Sequence, residues 1–106
     1  MYSWIDVMGN TVELARAVLH GHIYRRHPEL HKKLDAIKET ITNPDCIARS
    51  KKDGRSLLYF RKINGPLWLM VVGTPQEKQI IIIKTSFYVL NTSKGDPIIW
   101  QKKIST

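Results

Sequence analysis

The sequence predicts an α+β domain in which two N-terminal helices pack on an antiparallel sheet of about four strands. Three observations favour this fold class. Apolar residues recur at helical spacing in the first half of the chain, they alternate at strand spacing from Cys46 onward, and the turns between the strands are short. Short turns join antiparallel neighbours, and a helix with one apolar face needs a covering layer, which a sheet supplies.

The size and charge of the chain limit the kinds of function and partner that we expect for it. Its 106 residues suit a single domain, so we treat residues 1–106 as one unit. The formal net charge of +8, from 17 basic and 9 acidic residues, favours nucleic acid, an acidic protein or an anionic membrane surface as partner. No apolar run, whether Leu67–Val72 or Ile80–Ile83, is long enough to cross a bilayer, so we expect no membrane among the partners, and the first residues lack a signal-peptide pattern. Cys46 is the single cysteine, so we expect no internal disulfide and a cytoplasmic location.

The N-terminal residues allow two interpretations. Ser3–Met8 and Thr11–Leu14 are short alternating runs with a Gly-Asn pair between them, a pattern typical of a β-hairpin that precedes the helices. The alternative is a helix that begins at Asn10 or Thr11 and continues to His27.

Two helices are predicted after this point. Ala15–Arg26 has apolar residues near the 3.6-residue period, and Pro28 ends that helix. A second helix is predicted over Pro28–Thr42, with proline and acid favoured in its first turn. Its apolar stripe consists of Leu30, Leu34, Ile37 and Ile41.

Strand patterns follow the second helix. The four predicted strands are Cys46–Arg49, Arg55–Ile63, Leu67–Val72 and Gln79–Val89. The segment Pro97–Ile104 adds a short edge strand or a tail.

Several motifs for metal or nucleophile chemistry are excluded. His27-Pro28-Glu29 matches half of a zinc deaminase site, but the Pro-Cys-x-x-Cys half is absent. No His-Glu-x-x-His, Gly-rich phosphate loop or Gly-x-Ser-x-Gly elbow occurs in the sequence. We therefore expect no metal and no cofactor.

The stretch His20–Glu29 is the strongest candidate for a functional site. It holds three of the four histidines of the chain, together with two arginines. Histidine is suited to moving protons near neutral pH, and arginine is shaped to hold a phosphate with two hydrogen bonds. These are the groups that phosphodiester cleavage without a metal needs. The alternative is a helix end with a solvated basic face.

The order of several short segments resembles the phage-associated nuclease domains of the barnase–EndoU–colicin–RelE superfamily, over roughly residues 3–90. These segments are His22-Ile23, Arg26-His27-Pro28-Glu29, Asn43-Pro44-Asp45, Leu58-Tyr59-Phe60-Arg61 and Ile82-Ile83-Lys84-Thr85-Ser86. The resemblance implies two N-terminal helices on a four-stranded antiparallel sheet. It also implies a metal-independent ribonuclease that serves as a toxin or as an enzyme of a mobile element, with RNA as substrate and an acidic antitoxin or immunity protein as a further partner.

The resemblance also implies a set of site residues. The catalytic candidates are His22, Arg26, His27, Tyr59 and Thr85, with His22 first for proton transfer and Arg26 four residues later for the phosphate. The substrate-binding candidates are Arg25, Arg61, Lys84 and Ser86.

For three of these residues, a purely structural role is an alternative interpretation. His27 alternatively caps or orients the second helix, Tyr59 alternatively packs in the core, and Thr85 is alternatively an ordinary strand residue. Two hypotheses therefore remain: an RNA-cleaving enzyme, or a non-catalytic basic module that binds nucleic acid or an acidic protein. Convergence of His22 with Arg26, Arg61 and Thr85 in one cleft would favour the enzyme.

Overall fold

The computed structural model describes residues 1–103 and contains, within them, one mixed sheet of seven strands in the order β1-β2-β6-β5-β4-β3-β7. The strands are β1 (Tyr2–Ile5), β2 (Thr11–Leu14), β3 (Cys46–Ser50), β4 (Leu57–Asn64), β5 (Leu67–Pro75), β6 (Ile80–Val89) and β7 (Gly95–Gln101). Neighbouring strands pair antiparallel except β2 and β6, which run parallel.

The predicted fold class, two N-terminal helices on an antiparallel sheet of about four strands, is therefore wrong. The helices follow the first two strands, and the sheet is larger and mixed. The prediction missed this arrangement because β2 and β7 each pair with a strand that is distant in the sequence. β2 pairs in parallel with β6, and β7 pairs with β3 at the far edge of the sheet. Alternation of apolar and polar residues indicates where each strand lies, but it does not indicate with which distant strand it pairs. Ile104, the last residue of the predicted edge strand, lies outside the described residues.

The N-terminal residues form the hairpin rather than the alternative helix. β1 and β2 pair from Tyr2 opposite Leu14 to Ile5 opposite Thr11. The Asp6 carboxylate, which is buried, accepts hydrogen bonds from the backbone N–H groups of Met8 and Asn10 across the turn. A side chain that holds its own turn in this way favours the hairpin over a helix.

The helical part of the chain is more broken than its pattern predicts. Helix α1 covers residues 16–26 and consists of the α-helical residues Arg16–Val18, a π-turn Leu19–Ile23 and the α-helical residues Tyr24–Arg26. The predicted helix Pro28–Thr42 is divided into a 3₁₀ turn, Pro28–Leu30, and helix α2, Leu34–Thr42. Lys32 has φ of 63°, a left-handed conformation that ends the first turn. Lysine is a good helix former, so the pattern did not predict this break.

The helices cover one face of the sheet. From the predicted stripe, Leu30, Ile37 and Ile41 are fully buried and Leu34 is half-buried. They pack with residues of β4 to β6, such as Tyr59 and Val71, in the larger core cluster. None of the helices in residues 1–103 has the length and apolarity needed to cross a membrane.

The opposite face of the sheet carries a second apolar cluster made of strand residues. Its buried members are Cys46, Ala48, Leu58, Phe60 and Met70, with Trp68, Val72, Phe87 and Val89 packed against them. This face forms the floor of a groove.

A β-bulge lies beside that floor. In the β5–β6 pair, Val72 is opposite Thr85 but Gly73 is opposite Ile83, so Lys84 is an extra residue in β6. Strand residues normally alternate between faces, and a bulge places two consecutive side chains on the same side. Lys84 and Thr85 both line the groove as a result.

Candidate functional site

The groove on the second face has a volume of about 770 Å³. Its lining combines an apolar floor with a rim that holds four lysines, one histidine and one acidic residue. The floor consists of Leu58, Met70, Val72 and Phe87, and the rim of His22, Ser50, Lys51, Lys52, Asp53, Ser56, Lys84, Thr85 and Lys94. With the histidine neutral, the lining carries a net charge of +3, from the four lysines and the one aspartate. The groove is thus suited to an anion.

His22 reaches the groove from the π-turn of α1. The helix follows β2 in the chain. Because β2 pairs with residues 80–82 of β6 and α1 also contacts β6, the π-turn is held close to β6. Leu19 and Ile23, the two ends of the π-turn, are buried in the larger core cluster, whereas His22 is half-buried and lines the groove. π-Turns are rare and occur often at functional sites. This turn anchors the backbone on both sides of the histidine.

His27 lies beside the same groove without being part of its lining. Its ring stacks on Phe87 with ring centroids 5.0 Å apart and an interplanar angle of 23°. Its Nδ1 atom is 3.7 Å from a carboxylate oxygen of Glu29. The ring of Phe87 therefore separates His27 from the rest of the floor.

A short network holds Lys84 in position. Its Nζ donates to the Ser56 hydroxyl at 3.0 Å and lies 3.9 Å from the Asp53 carboxylate. The Ser56 hydroxyl donates in turn to Asp53 at 2.7 Å, and the backbone N–H groups of Ser56 and Arg55 donate to the same carboxylate at 2.8 and 2.9 Å. The turn between β3 and β4 thus orients a cation from β6.

Because these hydrogen bonds lower the pKa of Asp53, measuring that pKa shows whether the network forms. Hydrogen bonds from the backbone and hydroxyl of Ser56, then from the backbone of Arg55, hold the pKa of Asp53 well below its usual value of about 3.9. Because the folded pKa is lowered, the stabilisation is present above about pH 4 and is lost as the pH falls through the folded pKa.

We expect the backbone N–H signals of Arg55 and Ser56, followed by NMR, to titrate with a midpoint below about 3.9. The Asp53→Asn protein should lack this step because the amide has no proton to gain. A midpoint at or above the ordinary aspartate value would show that the network does not form in solution.

The structure brings together only some of the predicted site residues. His22, Lys84 and Thr85 line one groove, with His27 beside it. Arg25 and Arg26 are exposed at the end of α1 and do not belong to the lining.

Three other predicted residues lie away from the groove. Arg61 is on the helix-covered side, with a guanidinium nitrogen 4.0 Å from a Glu39 carboxylate oxygen of α2. Tyr59 is fully buried and donates to Asp6 at 2.6 Å; burial, followed by this bond, raises the pKa of Tyr59. Ser86 is fully buried and donates to the Met70 carbonyl at 2.8 Å.

The rim also includes residues that sequence reasoning did not select. Lys51, Lys52, Asp53 and Ser56 come from the turn between β3 and β4, and Lys94 precedes β7. The sequence pattern indicates only that a turn with an Asp53-Gly54 pair lies between the predicted strands Cys46–Arg49 and Arg55–Ile63. The two consecutive lysines before this pair were the available signal, since a basic turn between strands is an unusual concentration of charge. Across residues 1–103, no cluster of three or more His, Cys, Asp or Glu side chains is arranged to hold a metal ion.

Comparison with known proteins gives one match. The profile of a family described as phage-Barnase-EndoU-ColicinE5/D-RelE like nuclease3 matches residues 5–97. Neither the curated proteins nor the solved structures that were compared include a match. The profile spans most of the chain and agrees with the superfamily that the sequence resembles. The protein therefore belongs to the phage-Barnase-EndoU-ColicinE5/D-RelE like nuclease3 family.

Proposed function

We propose that this nuclease-family protein is an endoribonuclease that cleaves RNA by attack of the 2′-hydroxyl, without a metal ion. The observation that supports the proposal is that His22, Lys84 and Thr85 line one groove. A proton-transfer group, a cation and a hydroxyl donor in one groove are groups that this reaction can use.

Each side chain of the groove has a separate role in the proposed reaction. The 2′-oxygen loses its proton and bonds to the adjacent phosphorus, while the bond from phosphorus to the 5′-oxygen breaks and that oxygen takes a proton. His22 transfers one of these protons. The other is exchanged with water, because His27, the second histidine candidate, stacks on Phe87 outside the lining of the groove. The Lys84 ammonium and the Thr85 hydroxyl stabilise the phosphoryl oxygens. The products are a 2′,3′-cyclic phosphate and a 5′-hydroxyl.

Lysines take over a role that the family resemblance had given to arginines. Arg61 forms its contact with Glu39 on the other side of the sheet, so Lys84, held by Ser56, is the better-placed cation. Arg25 and Arg26 are exposed directly after the π-turn, and we assign them to phosphates that flank the cleaved one.

An acidic inhibitor protein is a second partner that fits the proposal. The four lysines of the rim would attract carboxylates as well as phosphates. Such a protein would block the groove, which is the action required of an antitoxin or immunity protein.

A non-catalytic basic module remains the second candidate. The position of Arg61 favours it, because the full convergence of His22, Arg26, Arg61 and Thr85 that was expected of an enzyme is not present. Such a module would bind RNA or an acidic protein through the same rim.

One experiment separates the two candidates. Purified protein is incubated with mixed RNA in the presence of EDTA, and the product ends are identified. We expect cleavage that survives EDTA and leaves 2′,3′-cyclic phosphate ends, with single-stranded DNA left intact because it lacks the 2′-hydroxyl. RNA that is bound but never cut, in buffers with and without divalent ions, would favour the binding module.

A further inference from the structure

The two outer strands of the sheet, β1 and β7, differ in how they are protected against pairing with another chain. An edge strand leaves one row of backbone N–H and C=O groups unpaired, and proteins commonly block such an edge with charged residues, proline or bulges. β7 has all three features, because it contains Asp96 and Pro97 and its pairing with β3 is interrupted by two register shifts. β1 reads Tyr-Ser-Trp-Ile and pairs regularly with β2, so it has none of them.

The backbone groups that β1 offers to a further strand are those of Ser3 and Ile5. At the end of the hairpin, the Asp6 N–H donates to the Asn10 carbonyl at 2.9 Å. Bonding direction alternates along an antiparallel strand, so the even-numbered residues of β1 bond to β2, whereas Ser3 and Ile5 direct their N–H and C=O groups away from it. Within residues 1–103, no strand pairs with that outer side of β1.

The side chains of β1 leave apolar surface exposed at this edge. Tyr2 and Trp4 pack against the larger core cluster, with their rings stacked and the centroids 6.0 Å apart. By alternation, Met1, Ser3 and Ile5 lie on the opposite face of the sheet, which carries the groove. Met1 is 70% exposed and Ile5 is 60% exposed. A strand that paired with β1 would cover both of these side chains.

We propose that β1 is an interface between two copies of this chain, whose β1 strands pair antiparallel about a two-fold axis at Ser3. In that register, Tyr2 of one copy lies opposite Trp4 of the other, and Ile5 lies opposite Met1. Aromatic residues thus meet aromatic residues, aliphatic residues meet aliphatic ones, and no charged side chain takes part. A shift of one residue would place these side chains on the wrong faces. Because the segment is complementary to itself in one register, a second copy fits the edge better than a strand of unrelated sequence.

The size and charge of this interface determine how the dimer behaves. Stable protein–protein interfaces bury about 1,200–2,000 Å², more than one pair of four-residue strands covers, so the dimer is weak and reversible. The net charge of +8 on each copy opposes association, and salt screens this repulsion. Because opposite residues of a strand pair share a face, the grooves of the two copies open on the same side of the joined sheet.

Sedimentation velocity of the full chain at a series of concentrations measures this association. We expect single chains at about 1 μM and a growing fraction of dimer toward about 1 mM, as for an interface of this size. At a fixed protein concentration, the dimer fraction should be larger in about 0.5 M salt than in about 0.05 M salt. Single chains at every concentration and salt would overturn the proposal, and this comparison needs no variant to fold.

A matched pair of variants identifies the edge that pairs. Ile5 in β1 and Ile98 in β7 are both exposed, by 60% and 50%, and replacing either with lysine adds the same charge. Ile5→Lys should weaken association by about 10-fold or more, because a lysine blocks pairing at an edge. Ile98→Lys should leave association nearly unchanged. Circular dichroism checks that each variant is folded. Equal effects of the two variants would overturn the proposal.

A cysteine at the two-fold axis tests the register. Hydrogen-bonded residues opposite each other in an antiparallel pair have Cα atoms about 5.5 Å apart, a distance that a disulfide can span. The natural Cys46 is buried, so oxidised glutathione should join two Ser3→Cys chains through position 3. We expect this cross-link to form about 10-fold faster, or more, than that of Ile98→Cys, whose strand is the other edge. Equal rates for the two variants would overturn the proposed pairing.

Discussion

Replacement of His22 by alanine is expected to slow RNA cleavage by about 10²–10⁴-fold, the loss typical of removing a general acid or base. The effect should fall on the chemical step because His22 lines the groove with Lys84 and Thr85. The fold should be retained, since Leu19 and Ile23 rather than His22 anchor the π-turn in the core. The measurement is single-turnover cleavage of a labelled RNA, together with the free energy of unfolding.

His20 offers a matched control for this experiment. It belongs to the same π-turn but is exposed and packs edge-on against Tyr24, with ring centroids 5.3 Å apart. His20→Ala should cleave RNA at nearly the normal rate. If both variants lose activity equally, the histidines act through the turn rather than in the groove. If neither loses activity, the active site lies elsewhere.

Truncation of Ile37 is expected to destabilise the folded protein strongly. Ile37 is fully buried in α2 and belongs to the core cluster that joins the helices to the sheet. Ile37→Ala should lower the free energy of unfolding by about 2–5 kcal/mol, through lost apolar burial and the cavity that remains. Urea denaturation followed by circular dichroism measures this change.

Leu34 and Lys38, both on α2, provide the comparison. Leu34 is half-buried, so Leu34→Ala should cost less than Ile37→Ala, and the exposed Lys38→Ala should change stability by no more than about 0.5 kcal/mol. A larger loss at Leu34 than at Ile37 would mean that α2 is rotated about its axis relative to the sheet.

Local pattern was enough to predict the central strands. Arg55–Ile63, Leu67–Val72 and Gln79–Val89 were predicted, and Leu57–Asn64, Leu67–Pro75 and Ile80–Val89 are observed. Each alternates or runs apolar over many residues, and each is bounded by a recognisable turn. The mixed topology depends on the pairing of residues 11–13 with residues 80–82, for which no local feature is a signal.

The candidate site was harder to predict than the strands because it depends on which face of the sheet is covered. Tyr59 and Arg61, two positions apart in β4, share a face of the sheet, but that face lies under the helices and not in the groove. Lys84 and Thr85 share the groove only because a bulge interrupts the alternation of β6. No turn residue or glycine in Lys84–Ser86 indicates the bulge, so the sequence alone could not predict that both side chains point the same way.

The parallel pairing of β2 with β6 has a consequence for protein synthesis. The residues that pair are almost seventy positions apart, and contacts of such separation form late because a long loop must close first. His22 is translated early, whereas Lys84, Thr85 and Lys94 are translated long after it. The ribosome that makes this chain therefore carries a nascent polypeptide whose groove is incomplete until the later strands emerge, so a ligand of the groove cannot bind before then.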